Sequence, residues 1–151
     1  MLQKRCSAAA GPSARARARD YCATRPGTIS TTDGVNCNAQ TNEVEAMKDL
    51  RLSQINAEFD HVFSVSDWAN LLDIPASTLT VSKGERRPFG DAYYQIATLG
   101  MKADDNTPMK ARFGVYVLPG RVTMAGCYAP TSSFASWEAT FEQTVSSLRP
   151  W

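Results

Sequence analysis

The chain predicts an α+β fold, an antiparallel β-sheet covered by helices, and three features of the sequence carry that expectation. A long alternating hairpin occupies residues 109–129, and an amphipathic helix follows it. Upstream, two helical patterns precede two further strands. Helices at both ends of an antiparallel meander define a layered α+β architecture.

Taken in order, Val44, Met47, Leu50, Ile55 and Phe59 recur at near-helical spacing after Glu43. Ser66 is placed to cap a short helix, SDWANLLD, which buries Trp68, Leu71 and Leu72 and is stopped by Pro75. Ser77 to Lys83 alternates Thr and Val and predicts a strand; Gly84 to Gly90 predicts a basic turn. Ala92 to Thr98 is the next strand, and LGMKADDNTP a polar loop. In the hairpin, Met109, Ala111, Phe113, Val115 and Val117 share one face, with Lys110, Arg112 and Tyr116 on the other. Pro119 fixes φ and Gly120 accepts the positive φ of a tight turn. The return strand sets Val122, Met124 and Tyr128 on one side. Thr131, Ser132 and Ser133 offer capping oxygens to the last helix. Phe134, Trp137, Phe141, Val145 and Leu148 then form one apolar stripe, while Glu138, Glu142 and a terminal Arg149 suit the helix dipole. Phe113, Val115, Tyr94, Ile96, Trp137 and Phe141 are assigned to the core.

With 151 residues, 43% of them hydrophobic, the chain has room for one domain and a tail. The net charge of +1 hides an asymmetry, because residues 1–25 hold Lys4, Arg5, Arg15, Arg17, Arg19 and Arg25 against Asp20 alone. That Ala-, Arg- and Ser-rich leader has the composition of an organelle transit peptide; a basic tail is the plain alternative. An RNA-binding arm is disfavoured because no aromatic residue interleaves the arginines before Tyr21. Thr28 to Thr41 is polar and has the character of a linker. The organisation expected is a disordered basic leader and linker over residues 1–42 and a folded domain over residues 43–151. No run reaches the roughly 18 apolar residues of a membrane span.

Chemistry-bearing patterns are sparse. Cys6, Cys22, Cys37 and Cys127 form no CxxC pair and His61 is the only imidazole, which disfavours zinc. Cys22 and Cys37 are spaced to bridge in an oxidising compartment, although free thiols are the plainer reading. Cys127 is expected to be a small strand residue. Asp60-His61 and Asp104-Asp105-Asn106 are polar pairs short of a full cation loop, and read as solvated turns. No phosphate loop or nucleophile–base pattern supports an enzyme. WANLLDIPASTLTVSKGERRP echoes a phage-repressor helix-turn-helix through Ala69, Leu72, Ile74, Ser77, Thr78, Leu79, Gly84, Arg87 and Pro88. Its β-branched STLTVS, however, falls where a recognition helix is needed. Lys83, Arg86 and Arg87 on one turn, with Lys110 and Arg112 on one strand face, form a basic patch suited to an acidic protein surface.

The stretch from about Phe63 to Arg149 resembles the PsbP family, the extrinsic lumenal proteins of photosystem II and their paralogues. The likeness rests on the helix Ser64 to Leu72 (SVSDWANLL), the strand entry Phe89 to Ile96 (FGDAYYQI) and the turn Leu118 to Val122 (LPGRV). The closing helix adds Phe134 to Trp137 (FASW) and Val145 to Arg149 (VSSLR). The family's N-terminal hairpin finds no match in residues 21–60, and no hydrophobic thylakoid-transfer segment follows the leader. The resemblance implies an α/β/α sandwich and a non-catalytic protein of the chloroplast thylakoid lumen. Such a protein docks on and stabilises, or helps assemble, photosystem II with its oxygen-evolving complex, or a related thylakoid complex. Lys83, Arg86, Arg87, Lys110 and Arg112 are the docking charges this reading selects. Calcium enters through the resemblance alone, and no residue set is assigned to it or to any cofactor. The alternatives are a helix-turn-helix DNA-binding regulator and a bacterial lipoprotein-like binding domain of the same fold.

Overall fold

The structure, a computed structural model, describes the backbone of residues 27–30 and residues 34–149 in full. The readings placed on the leader, including its arginines, Cys6 and Cys22, lie outside the described residues. The strands are β1 (Gly27–Ser30), β2 (Asn36–Glu43), β3 (Thr80–Phe89), β4 (Ala92–Lys102), β5 (Pro108–Leu118) and β6 (Arg121–Pro130). The helices are α1 (Leu52–Glu58), α2 (Val65–Leu72) and α3 (Thr131–Ser146), and a 3₁₀ turn at Glu45–Met47 leads into α1. All six strands join one antiparallel sheet in the order β1-β2-β6-β5-β4-β3.

Period-two alternation sends successive side chains of the sheet to opposite layers. Tyr94, Ile96, Tyr116, Ala125, Cys127 and Ala129 face α3 and pack on Phe134, Phe141, Val145 and Leu148. Ala97, Leu99, Ala111, Val115, Val122 and Met124 face the other way, toward Phe63, Trp68, Ala69 and Leu79. Both faces are therefore covered, and the α/β/α sandwich expected from the sequence is the fold. The strand face carrying Arg112 and Tyr116 is as deeply buried as the one carrying Val115.

Several local expectations are corrected. The linker expected over residues 28–41 is corrected by its described residues: β1 and β2 pair with each other and β2 pairs with β6, so the sheet begins well before residue 43. The helix α2 is capped by Ser64, not Ser66; its hydroxyl accepts from the Asp67 amide and the Asp67 carboxylate accepts from the Ser64 amide. This helix ends at Leu72, where Asp73 turns left-handed (φ 54°), two residues before Pro75. Ala76–Thr78 is a 3₁₀ turn, so β3 begins at Thr80. The supposed basic turn at Gly84–Gly90 is mostly strand. Lys83 takes φ 49°, the register shifts between Ser82 and Glu85, and pairing resumes to Phe89. Such a bulge inserts an extra residue and re-aims those after it. At the start of α3, Pro130 occupies the N-cap without a side-chain bond, and the Ser133 hydroxyl donates back to the Pro130 carbonyl instead.

The Pro119–Gly120 turn forms as expected, with Gly120 at φ 72°. Its amide donates to the Met47 carbonyl while its own carbonyl accepts from Val44, which ties the turn to the 3₁₀ segment.

Candidate functional site

Of the five basic residues selected from the sequence, the fold brings Lys83, Arg87 and Arg112 together and separates Arg86 and Lys110. Arg112 lies mid-strand on β5 beneath α3 and is only 4% exposed, so it is not a docking charge. Its guanidinium donates to the Glu142 carboxylate (2.7 Å), to the Lys83 carbonyl (3.0 Å) and to the Thr98 hydroxyl (3.3 Å). A buried cation demands such satisfaction, since its desolvation costs several kcal/mol, on the order of the attraction it regains.

Arg87 reaches the same carboxylate from β3. It donates to Glu142 at 2.9 Å, to Glu85 at 2.7 Å and to the Ser146 hydroxyl at 3.0 Å. Lys83, on the bulge, meets Glu138 one turn earlier on α3. Burial by itself raises the Glu142 carboxyl, but the Ser146 hydroxyl and the Arg112 and Arg87 guanidinia outweigh it and hold it below the ordinary value. The bond from Arg87 lowers Glu85 likewise, and the bond to Glu85 raises Arg87 against its own desolvation, with Glu142 reinforcing the rise. The cluster is thus an intramolecular charge network that pins α3 onto the β3–β5 side of the sheet.

Arg86 points to the opposite layer. It donates to the carbonyls of Phe59 (2.9 Å) and Asn56 (3.3 Å) at the end of α1 and lies 3.3 Å over the Tyr93 ring. Lys110 remains exposed, 5.9 Å from the Phe134 ring, and meets no carboxylate among the described residues. Of the selected five, Lys110 therefore presents its charge to solvent without an ion pair.

Sequence reasoning missed two features. The first is the C-terminus of α3, whose carbonyls are satisfied by tyrosines from the sheet. Tyr94 donates to Val145 O at 2.6 Å and Tyr116 to Leu148 O at 3.4 Å, the two rings stacked 4.4 Å apart. Burial pushes both phenols upward. The second is a disulfide joining Cys37 on β2 to Cys127 on β6, directly opposite in register. This corrects the free-thiol reading of Cys37 and its alternative pairing with Cys22; Cys127 is the small buried strand residue expected, and it carries the bond.

The remaining polar pairs have local roles. His61 Nε2 lies 3.0 Å from the Asp67 carboxylate, which also accepts from the Ser64 amide and hydroxyl. Burial opposes ionisation of Asp67, but these Ser64 and His61 contacts prevail and lower it. Asp105 closes the β4–β5 turn by accepting from the Thr107 amide; hydrogen bonding to the Thr107 side chain and then to that amide lowers its carboxyl. Among the described residues no group of three His, Cys, Asp or Glu side chains is arranged to hold a metal ion, and no helix is long and apolar enough to cross a membrane. The helix-turn-helix reading fails on geometry, because its second helix would fall where the 3₁₀ turn and β3 lie.

No protein-family model matches the sequence, and no curated protein matches it either. Solved structures do share its fold. One is PA94 of Pseudomonas aeruginosa, a protein of unknown function proposed as a regulator. It is 9% identical over 77% of this chain and 74% of its own, with a TM-score of 0.52. Another is CyanoP, the cyanobacterial PsbP of Synechocystis sp. PCC 6803. That protein is 12% identical over 78% of this chain and 68% of its own, with a TM-score of 0.50.

Proposed function

We propose that the chain is a non-catalytic PsbP-like docking domain that binds and stabilises, or helps assemble, a larger protein complex. Photosystem II or a related thylakoid complex is the finer assignment. The observation that carries this reading is the fold, which this chain shares with CyanoP over 78% of its length. Its charges also favour a protein surface over a nucleic acid: Arg87, Arg112 and Lys83 are spent on α3, which leaves Lys110, of the five selected, as the docking cation. A position in the thylakoid lumen is supported by the Cys37–Cys127 disulfide, because such bonds persist in oxidising compartments. The disulfide equally favours a second reading, an extracytoplasmic bacterial binding domain of the same fold. Calcium stands on resemblance alone and is proposed as no more than a condition to vary.

Co-sedimentation with photosystem II membranes stripped of extrinsic proteins by a salt wash tests the reading. Retention that weakens with salt and with Lys110→Glu is expected. Retention no greater than on protein-free thylakoid lipid vesicles would refute it, and repeating the assay with calcium and with a chelator decides the ion's part.

A further inference from the structure

The β1–β2 hairpin is attached to the body in an unusual way. β2 lies beside β6 near one margin of the sheet, and its sequence, NCNAQTNE, buries one apolar side chain, Ala39. Its other side-chain links are polar and weak: Asn36 to the Tyr128 hydroxyl, Gln40 to the Met124 sulfur and Thr41 to Thr123. The Asn36 side-chain oxygen, Oδ1, is buried with no hydrogen-bond partner among the described residues. Such a strand stands at the low end of local stability. The covalent tie is the Cys37–Cys127 disulfide, which spans 90 residues of sequence. Its two sulfurs differ in access, for Cys127 is 1% exposed beneath α3 while Cys37, on the second strand from the edge, is half-buried.

We propose that Cys37–Cys127 is a thiol–disulfide exchange site for a dithiol protein of the CxxC class, and that its reduction releases the β1–β2 hairpin while the rest of the sandwich stays folded. The exposure difference sets the direction of attack. A thiolate of the partner forms a bond to Cys37 Sγ as the Cys37–Cys127 bond breaks, and Cys127 leaves as a thiolate and takes up a proton. The partner's second thiolate then attacks the mixed disulfide at its own first sulfur. Cys37 is released as a thiolate and protonated, and the partner is left oxidised; two electrons and two protons pass from the dithiol to this chain. Once both thiols are free, the backbone ladder of β2 and the burial of Ala39 and the preceding Val35 are left to hold the hairpin. This inference is independent of the docking reading.

Three measurements on the full chain test it. Non-reducing peptide mapping of the oxidised protein should recover Cys37 joined to Cys127; any other pairing, or free Cys37, overturns the proposal. Amide hydrogen exchange before and after treatment with a reduced CxxC protein should accelerate on residues 36–43 on the order of tenfold or more, with β4 and β5 unchanged. No acceleration overturns it, and so does a uniform rise across all strands, which would make the bond a global staple. A CxxC partner lacking its second cysteine should be trapped on Cys37; capture on Cys127 overturns the assigned direction. Cys37→Ser should show the fast β2 exchange without reductant. If that variant does not fold, the reduced natural chain still decides.

Discussion

Arg112 Nε donates to Glu142 Oε2 at 2.7 Å, which joins the middle of the sheet to the helix laid across it. Glu142 also receives Arg87, so one carboxylate serves two strands. Truncating the buried cation strands this arrangement. Arg112→Ala should cost about 3 kcal/mol, read from urea denaturation. Lys110→Ala, at an exposed and unpaired position, should stay within about 0.5 kcal/mol of the natural chain.

The same network predicts an acid-sensitive stability. The carboxyls of Glu142 and Glu85 sit below their ordinary value of 4.5 when folded, so their contribution is fully present above that value. It is lost as pH falls through the depressed folded values. Denaturation midpoints measured from about pH 6 down to about pH 3 should fall, and Glu142→Gln should flatten the decline. An unchanged slope in the variant would show that other carboxylates dominate.

Tyr94→Phe deletes the buried hydroxyl that donates to Val145 O and leaves that carbonyl to the Leu148 and Ser147 amides alone. A loss of about 1–2 kcal/mol is expected, with the end of α3 exchanging its amides faster. Gly114→Ala should do more harm, because a Cβ there would stand 1.8 Å from the Tyr94 hydroxyl oxygen. That variant should displace the tyrosine and lose about 3 kcal/mol, visible in its near-ultraviolet dichroism.

Ser64→Ala removes the hydroxyl that accepts from the Asp67 amide at the start of α2. A cost of about 1 kcal/mol is expected from thermal melting, whereas Ser66→Ala should be nearly silent.

The alternation of β5 and β6 and the stripe of α3 were legible because each places apolar residues at a single period. What hid the rest was polarity at buried or paired positions. β2 has almost no apolar alternation, since its register with β6 and the cystine do the work that hydrophobic side chains do elsewhere. Glu85, Arg86 and Arg87 suggested a turn, but the bulge at Lys83 re-aims them so that Arg87 faces Glu142 and Arg86 faces α1. Arg112 looked like surface charge because its counter-ion lies 30 residues away on α3. Strand pattern reports which side a residue faces, not whether a helix covers that side.

The edge strand β3 has one more consequence. An open row of strand donors and acceptors is a template on which other chains can polymerise. Here that row is broken by the left-handed bulge at Lys83, and Pro88 contributes no N–H near the other end. What stays regular is interrupted within a few residues, too short to seed stacked growth. The bend that turns Arg87 inward thus also removes β3 as a regular template for a further strand.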